Sequence, residues 1–229
     1  MKYDTLLLDA DGTLLDFEKA EARGLEAALK LHQIPFDNRI LAVYSRINKS
    51  CWEEFEQGLM TKETLLVERF RRLFKTLGIT GADPQKVRLT YNEELSKGAY
   101  LIDGAFEVCQ KLSKTHNLYI VTNGVSYTQR RRLGDSGLNR LVKGVFISED
   151  IGFQKPRREY FEAVFSEIPG FDRTKALLVG DSLSADIQGG INAGIDTCWY
   201  NPWRIARPAD MKITYEIHAI SELSKIAYL

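Results

Sequence analysis

The sequence predicts an α/β fold: a parallel sheet covered by helices on both faces, with an all-helical domain inserted near its start. Three observations carry this. Short, wholly apolar runs alternate with helical patterns, as expected of strands buried on both faces. Between Asp16 and Gly98 no strand pattern occurs, only amphipathic segments of helix length. Short polar stretches rich in Asp, Asn, Lys and Gly then stand at or just past the ends of several apolar runs, where parallel α/β sheets bind their ligands.

The first predicted strand is Tyr3–Leu8. In the strandless block that follows, Thr61 is an N-cap for a helix running to Leu77, and Asp83-Pro84 pairs an N-cap with proline at the first helical position. Gly58, Gly78, Gly81 and Gly98 punctuate the block. This gives a core of residues 1–15 and 99–229 and a helical cap domain of residues 16–98. Past the cap, a helix over Asp103–Ser113 precedes a strand over Leu118–Val121. Helix Ser126–Asp135, strand Gly144–Ile147 and helix Pro156–Ile168 follow, the last opening on its proline. Strand Ala176–Val179, helix Ser182–Ala193 and strand Ile195–Tyr200 lead to a tail, Ile213–Leu229, that reads as a closing strand and helix.

Composition narrows the function. With 31 basic and 31 acidic residues the formal charge is zero. No basic tail or stripe points to a nucleic acid polymer, and no acidic tract points to disorder. No run approaches the roughly 18 apolar residues of a membrane span, and the N-terminal apolar run is too short for a signal peptide. Cys51, Cys109 and Cys198 are scattered with no CxxC pair, which predicts buried thiols in a reducing compartment. The expectation is a soluble cytoplasmic protein, a monomer or weak homodimer, acting on a small molecule.

Four stretches carry the chemistry: Asp9-Ala10-Asp11-Gly12-Thr13, Thr122-Asn123-Gly124, Gln154-Lys155-Pro156, and Gly180-Asp181-Ser182 with Asp186. Each alone is ordinary. Asp-x-Asp and Asn-Gly serve turns, a lysine before proline is a common surface charge, and Gly-Asp-Ser is a frequent helix start. Brought to one sheet edge, however, Asp9, Asp11, Asp181 and Asp186 converge. Two carboxylates about 4 Å apart repel by roughly 4 kcal/mol at an effective dielectric near 20. Such a cluster needs a cation or a shared proton. Oxygen ligands without histidine or cysteine select Mg²⁺. Thr122, the neighbouring backbone N–H groups and Lys155 make a donor set for a phosphoryl group.

The four stretches, in this order, resemble the motifs of the haloacid dehalogenase-like hydrolase superfamily. The resemblance spans the chain, and the inserted block is similar to that superfamily's helical (C1) cap class. It implies a Rossmann-like three-layer core and phosphomonoester hydrolysis with Mg²⁺ as cofactor. By that resemblance Asp9 is the nucleophile that forms an aspartyl-phosphate, and Asp11 is the acid and base. Thr122 and the Asn123 backbone hold the phosphate, and Lys155 offsets its charge. Asp181 binds the metal with a carboxylate oxygen of Asp9 and the carbonyl of Asp11, while Asp186 acts from behind them or directly. The dehalogenase and phosphonatase branches lack the second aspartate, so Asp11 favours phosphate esters, with mutases also retaining it.

Residues 47–61 (INKSCWEEFEQGLMT) and 189–201 (GGINAGIDTCWYN), with 121–124 and 147–156, resemble a bacterial group of pyrimidine 5′-nucleotidases. A broad sugar-phosphate phosphatase, or a phosphate-binding regulatory module on the same fold, are the alternatives. In the cap, Asn48 and Trp52 stand four apart on one helical face, where an amide and an indole would read and stack on a base. Trp52, Phe55 and Leu59 equally form an apolar stripe that would pack in a core. Phe17 and Lys49 are candidates of the same kind. His32, His116 and His218 lack ligand spacing, Arg130-Arg131-Arg132 reads as a solvated helix face, and Arg204 and Arg207 suit either an entrance or a surface loop. Cys198 and Trp199 are expected to pack within the sheet.

Overall fold

The computed structural model describes residues 2–229 and divides into two compact units, Met1–Phe17 with Ala99–Leu229, and Glu18–Gly98. Strand β1 (Thr5–Leu8) opens the first unit. The first boundary falls two residues later than the sequence suggests, because Leu15 bridges to Leu101 and the Asp16 N–H donates to the Tyr100 carbonyl. Those pairings hold the segment after β1 in the core.

The second unit is built on helices α1 (Phe17–Leu31, whose first residue belongs to the core unit), α2 (Asn38–Glu56), α3 (Lys62–Leu77) and α4 (Pro84–Ser96). Their starts follow the capping chemistry: Asp37, Thr61 and Asp83 each accept a hydrogen bond from a backbone N–H of the first turn. Gly78 closes α3 at φ 65°. The interior is aromatic. Tyr44, Phe70 and Tyr91 pack with ring centroids 5.3–5.5 Å apart. The guanidinium of Arg69 lies 4.7 Å from the centre of the Tyr91 ring.

The chain then runs through α5 (Ala105–Leu112), β2 (Asn117–Thr122), α6 (Ser126–Asp135), β3 (Gly144–Ile147), α7 (Ser148–Ile151) and α8 (Arg158–Glu167). It continues through β4 (Ala176–Gly180), a π-helical turn over Leu183–Ile187 and α9 (Gln188–Ala193). Strands β5 (Asp196–Tyr200) and β6 (Tyr215–Ile217) and helix α10 (Leu223–Ala227) complete it. The sheet of the described residues is six-stranded, in the order β3-β2-β1-β4-β5-β6, and every pairing is parallel. Alternate residues serve the two layers of core. Leu6, Leu8, Ile120 and Val179 face α5 and α10, while Leu7, Val121 and Leu178 pack with Phe161 and Val164 of α8. This is why the strands read as unbroken apolar runs.

The single helix expected over Ser182–Ala193 is instead a π turn followed by α9. Ser182 starts it, its side chain accepting from Ala185 N–H and its carbonyl from both Asp186 and Ile187. The wide turn carries Asp186 inward. No helix among the described residues is long and apolar enough to cross a membrane.

Candidate active site

Order β2-β1-β4 places the carboxyl ends of β1 and β4 at the point where the strand sequence reverses direction, the usual ligand crevice of such sheets. Leu8 lies beside Ile120 on one flank and Val179 on the other. Asp9 continues the strand by one residue, its N–H donating to Val179 O at 2.9 Å. Its side chain is thereby fixed at the edge of the sheet and is almost wholly buried.

Facing it is Lys155, 1% exposed. Its ammonium donates to Asp9 Oδ1 at 2.7 Å, Asp186 Oδ1 at 2.6 Å and Val121 O at 2.9 Å. Those three bonds use all three of its protons. Burial opposes the charge, but Asp186 and Asp9 outweigh it and hold the lysine protonated. Asn123 sets the backbone beneath it, its amide donating to Lys155 O and its carbonyl oxygen accepting from Lys155 N–H, both at 2.9 Å. The Asn123 side chain is thus committed to the lysine, and the sequence expectation of phosphate binding at this position concerns its backbone.

Asp181, at the end of β4, faces Asp9 across Thr13. The Thr13 hydroxyl lies 3.2 Å from Asp9 Oδ2 and 3.1 Å from Asp181 Oδ1, and its one proton serves one carboxylate at a time. It also accepts the Asp181 N–H at 3.1 Å. Gly12 makes this approach possible. It has φ 85°, and a Cβ there would lie 2.5 Å from Asp181 Oδ2. From the other side the indole N–H of Trp199 donates to Asp181 O at 2.9 Å, a support that the sequence places only as sheet packing.

Asp9, Asp181 and Asp186 each bring a carboxylate oxygen within 4.8 Å of the others. Lys155 alone cannot balance them. Burial pushes Asp9 above the usual carboxylate range against the pull of Lys155, with Asp186 and Asp181 adding to the rise. Asp181 is pushed up to about 7, first by burial and then by Asp186. Three ionised carboxylates against one ammonium leave two negative charges unbalanced, and such a crowded set of hard oxygens fits a divalent cation of the Mg²⁺ kind.

Asp11 does not join this cluster with its side chain. Its Oδ1 accepts from Arg132 Nη1 and its Oδ2 from Gln129 Nε2, the latter at 2.8 Å. A metal role for Asp11 therefore rests on its carbonyl. Thr122, 1% exposed, ends β2 beside Gln129, which donates to its hydroxyl at 2.8 Å.

Residues 3–194 match the haloacid dehalogenase-like hydrolases. The chain belongs to that family. The HAD-hydrolase YfnB of Bacillus subtilis is 46% identical over 225 residues, covering 98% of this chain and 95% of YfnB. The pyrimidine 5′-nucleotidase PynA of Streptococcus pneumoniae is 38% identical, with 97% and 94% covered. The magnesium-bound crystal structure of YfnB superposes with a TM-score of 0.95 at 45% identity, covering the whole of both chains. The protein is accordingly a hydrolase with the Rossmann-like fold of this family.

Several expectations need correction in this hydrolase. Arg132 is not on a solvated face: it is fully buried and bonded to Asp11, while Arg130 pairs with Asp150 on the surface. Asn48 does not offer its amide to a ligand. It is 2% exposed, donating to Glu21 Oε1 at 2.8 Å and accepting from Arg69 Nη1 at 3.1 Å. Its place is in a buried network, where Arg69 also binds Asn92 and burial pushes the Glu21 carboxyl up. The stripe of Trp52, Phe55 and Leu59 also breaks. Helix α2 ends at Glu56, and Leu59 is 70% exposed. Phe55 is buried, and Trp52 is half-buried with its ring edge-on to Phe55 at 5.8 Å. Phe17 is half-buried, whereas Lys49, Arg204 and Arg207 are exposed.

Proposed function

We propose that this hydrolase cleaves phosphomonoesters through an aspartyl-phosphate on Asp9, uses Mg²⁺, and takes pyrimidine nucleoside monophosphates as its substrates. The observation that carries the reading is the buried pairing of Asp9 with Lys155 beside two further carboxylates at the sheet's switch point. Similarity to a pyrimidine 5′-nucleotidase supports the substrate class.

The geometry divides the labour. Lys155 and Thr13 hold opposite oxygens of Asp9, which leaves each oxygen one lone pair, enough for attack on phosphorus and for a cation. As the phosphorus–oxygen ester bond breaks, Asp11, protonated beforehand on a lone pair that Arg132 and Gln129 leave open, gives that proton to the leaving alkoxide. In the second half-reaction Asp11 takes a proton from water as that water attacks the acyl phosphate, releasing inorganic phosphate and restoring Asp9. The Thr122 hydroxyl and the backbone after it hold the phosphoryl oxygens, with Lys155 balancing their charge. Asp9, Asp181, Asp186 and the Asp11 carbonyl would hold Mg²⁺, which supplies charge neutralisation between nucleophile and phosphate. In the cap, Trp52 is the partly open ring suited to stack on a base, a contact worth roughly 1–3 kcal/mol.

Phosphate release from a panel of nucleoside monophosphates and sugar phosphates tests this. Pyrimidine monophosphates should give the highest kcat/KM, with activity lost in EDTA and restored by Mg²⁺. Full activity without metal would contradict the site, and a preference for sugar phosphates of roughly tenfold, about 1.4 kcal/mol, would overturn the substrate class.

A further inference from the structure

Two buried side chains of α6 have no part in the chemistry described so far, yet both end on it. Gln129 and Arg132 stand three apart on one helical face, and both are 0% exposed. Asp11, which they hold, is more open, its side chain 26% exposed on a loop. A carboxylate in that position samples several rotamers unless it is tied. Here each oxygen has its own donor, Arg132 on Oδ1 and Gln129 on Oδ2, so neither side-chain torsion of Asp11 is free.

The hydrogen bonds also fix their own direction. A carboxylate accepts and a guanidinium donates, so the Gln129 amide must turn its NH₂ toward Asp11 and its oxygen toward Arg132, which lies 3.4 Å away. The second NH₂ proton goes to Thr122 Oγ1 at 2.8 Å. Thr122 Oγ1 also accepts the Gly124 N–H at 3.1 Å. With both lone pairs taken, the Thr122 hydroxyl proton is left to serve an outside acceptor, as a phosphoryl oxygen is. Gly124 admits this arrangement. A Cβ at that position would lie 2.7 Å from three Gln129 side-chain atoms.

We propose that Gln129 and Arg132 are positioning residues: Arg132 clamps the Asp11 carboxylate, and Gln129 ties that carboxylate to the Thr122 hydroxyl so that acid–base group and phosphate donor keep one spacing through both half-reactions. The proposal rests on the roles given above to Asp11 and Thr122. Displacing an acid–base group by about 1 Å costs on the order of 100-fold in rate.

The test compares two esters under Mg²⁺. p-Nitrophenolate leaves without a proton, so with p-nitrophenyl phosphate only hydrolysis of the Asp9 phosphate depends on Asp11. A nucleoside monophosphate depends on it in both half-reactions. Arg132→Met should therefore lower kcat for the aryl ester by roughly 10- to 100-fold with kcat/KM nearly unchanged. A stopped-flow burst near one equivalent of p-nitrophenolate should precede the slow steady state. For the nucleotide, kcat/KM should fall as well. Arg132→Lys, which keeps a donor, should recover part of the loss. Gln129→Met should lower kcat/KM for both esters, because Thr122 loses its orientation too. That variant carries the test should Arg132→Met fail to fold, since it removes no charge.

Folded variants with the wild-type kcat and no burst would overturn the proposal. So would equal losses with both esters in Arg132→Met that track a lower Tm. If instead the wild-type protein hydrolyses neither ester, or Asp11→Asn keeps full turnover, the proposed function itself fails. That result is distinct from an active wild type indifferent to changes at 129 and 132.

Discussion

Asp9→Asn lowers turnover by roughly 10⁴-fold or more and leaves the protein folded. The amide cannot attack phosphorus, and it is a far weaker ligand for a hard cation than a carboxylate. The fold, by contrast, loses little. Burial holds the Asp9 carboxyl above its ordinary range despite Lys155. A native carboxyl raised in this way binds more protons than the unfolded chain does, so its ionisation removes stability as pH rises past the ordinary value. A neutral side chain of the same shape avoids that loss. The amide oxygen still accepts from Lys155, which keeps Asp186 as its charged partner. Phosphate release under Mg²⁺ and, separately, a thermal melt in metal-free buffer at neutral pH check the two halves. Activity should vanish, and Tm should stay level or rise. Wild-type-like turnover in protein shown by mass to be free of deamidation would remove Asp9 from the chemistry.

Lys155→Met has the opposite balance, costing both activity and stability. It takes away three hydrogen bonds at once and strands two carboxylates, 9% and 1% exposed in their side chains, without a counter-charge. Breaking a buried pair by removing one partner destabilises by about 3–5 kcal/mol. Turnover falls by roughly 10³-fold, the scale of losing one preorganised electrostatic partner of the reacting phosphoryl group. Urea unfolding with and without Mg²⁺ separates the two effects. The added cation should return part of the stability, since it would sit among the same carboxylates, and little of the turnover. An unchanged unfolding midpoint in metal-free buffer would contradict the geometry.

The fold and the polar cluster share a reason for being legible in the sequence. Strands buried on both faces leave unbroken apolar runs, such as TLLL over β1 and ALLVG over β4, so their ends are sharp. What stands just past a sharp end is then easy to place, which is how Asp9, Thr122 and Asp181 come to one edge. Thr61 and Asp83 marked helix starts because capping is a local interaction.

The harder residues depend on contacts between distant elements. Arg132 lies in a run of three arginines that looks uniformly solvated. Successive helical residues turn by about 100°, so one of three neighbours can point inward, and the signal was the adjacent Leu133 and the polar Gln129 on the same buried side. Asn48 shows the reverse. The buried residues of α2 are Tyr44, Asn48, Cys51 and Phe55, a helical stripe that runs through the asparagine. Trp52 lies one position off it. The sequence reading set Asn48 beside Trp52 on a base-facing side, and only the partner helices, with Glu21 and Arg69, show why this polar residue is buried instead. The π turn before α9 left no sequence signature, because it follows from how Ser182 and Asp186 bond to each other.

In the proposed mechanism phosphate passes through the Asp9 side chain. The most direct measurement uses Asp11→Asn, in which p-nitrophenyl phosphate can still transfer its phosphoryl group while hydrolysis of the intermediate is blocked. The protein is mixed with that ester and Mg²⁺, quenched in acid, reduced with borohydride and mapped by peptide mass spectrometry. An acyl phosphate at Asp9 is reduced to homoserine, so homoserine is expected at position 9, dependent on ester and metal, with Asp11, Asp181 and Asp186 unmodified. Homoserine at another aspartate, or a release of p-nitrophenolate in stoichiometric amount with Asp9 unmodified, would contradict it.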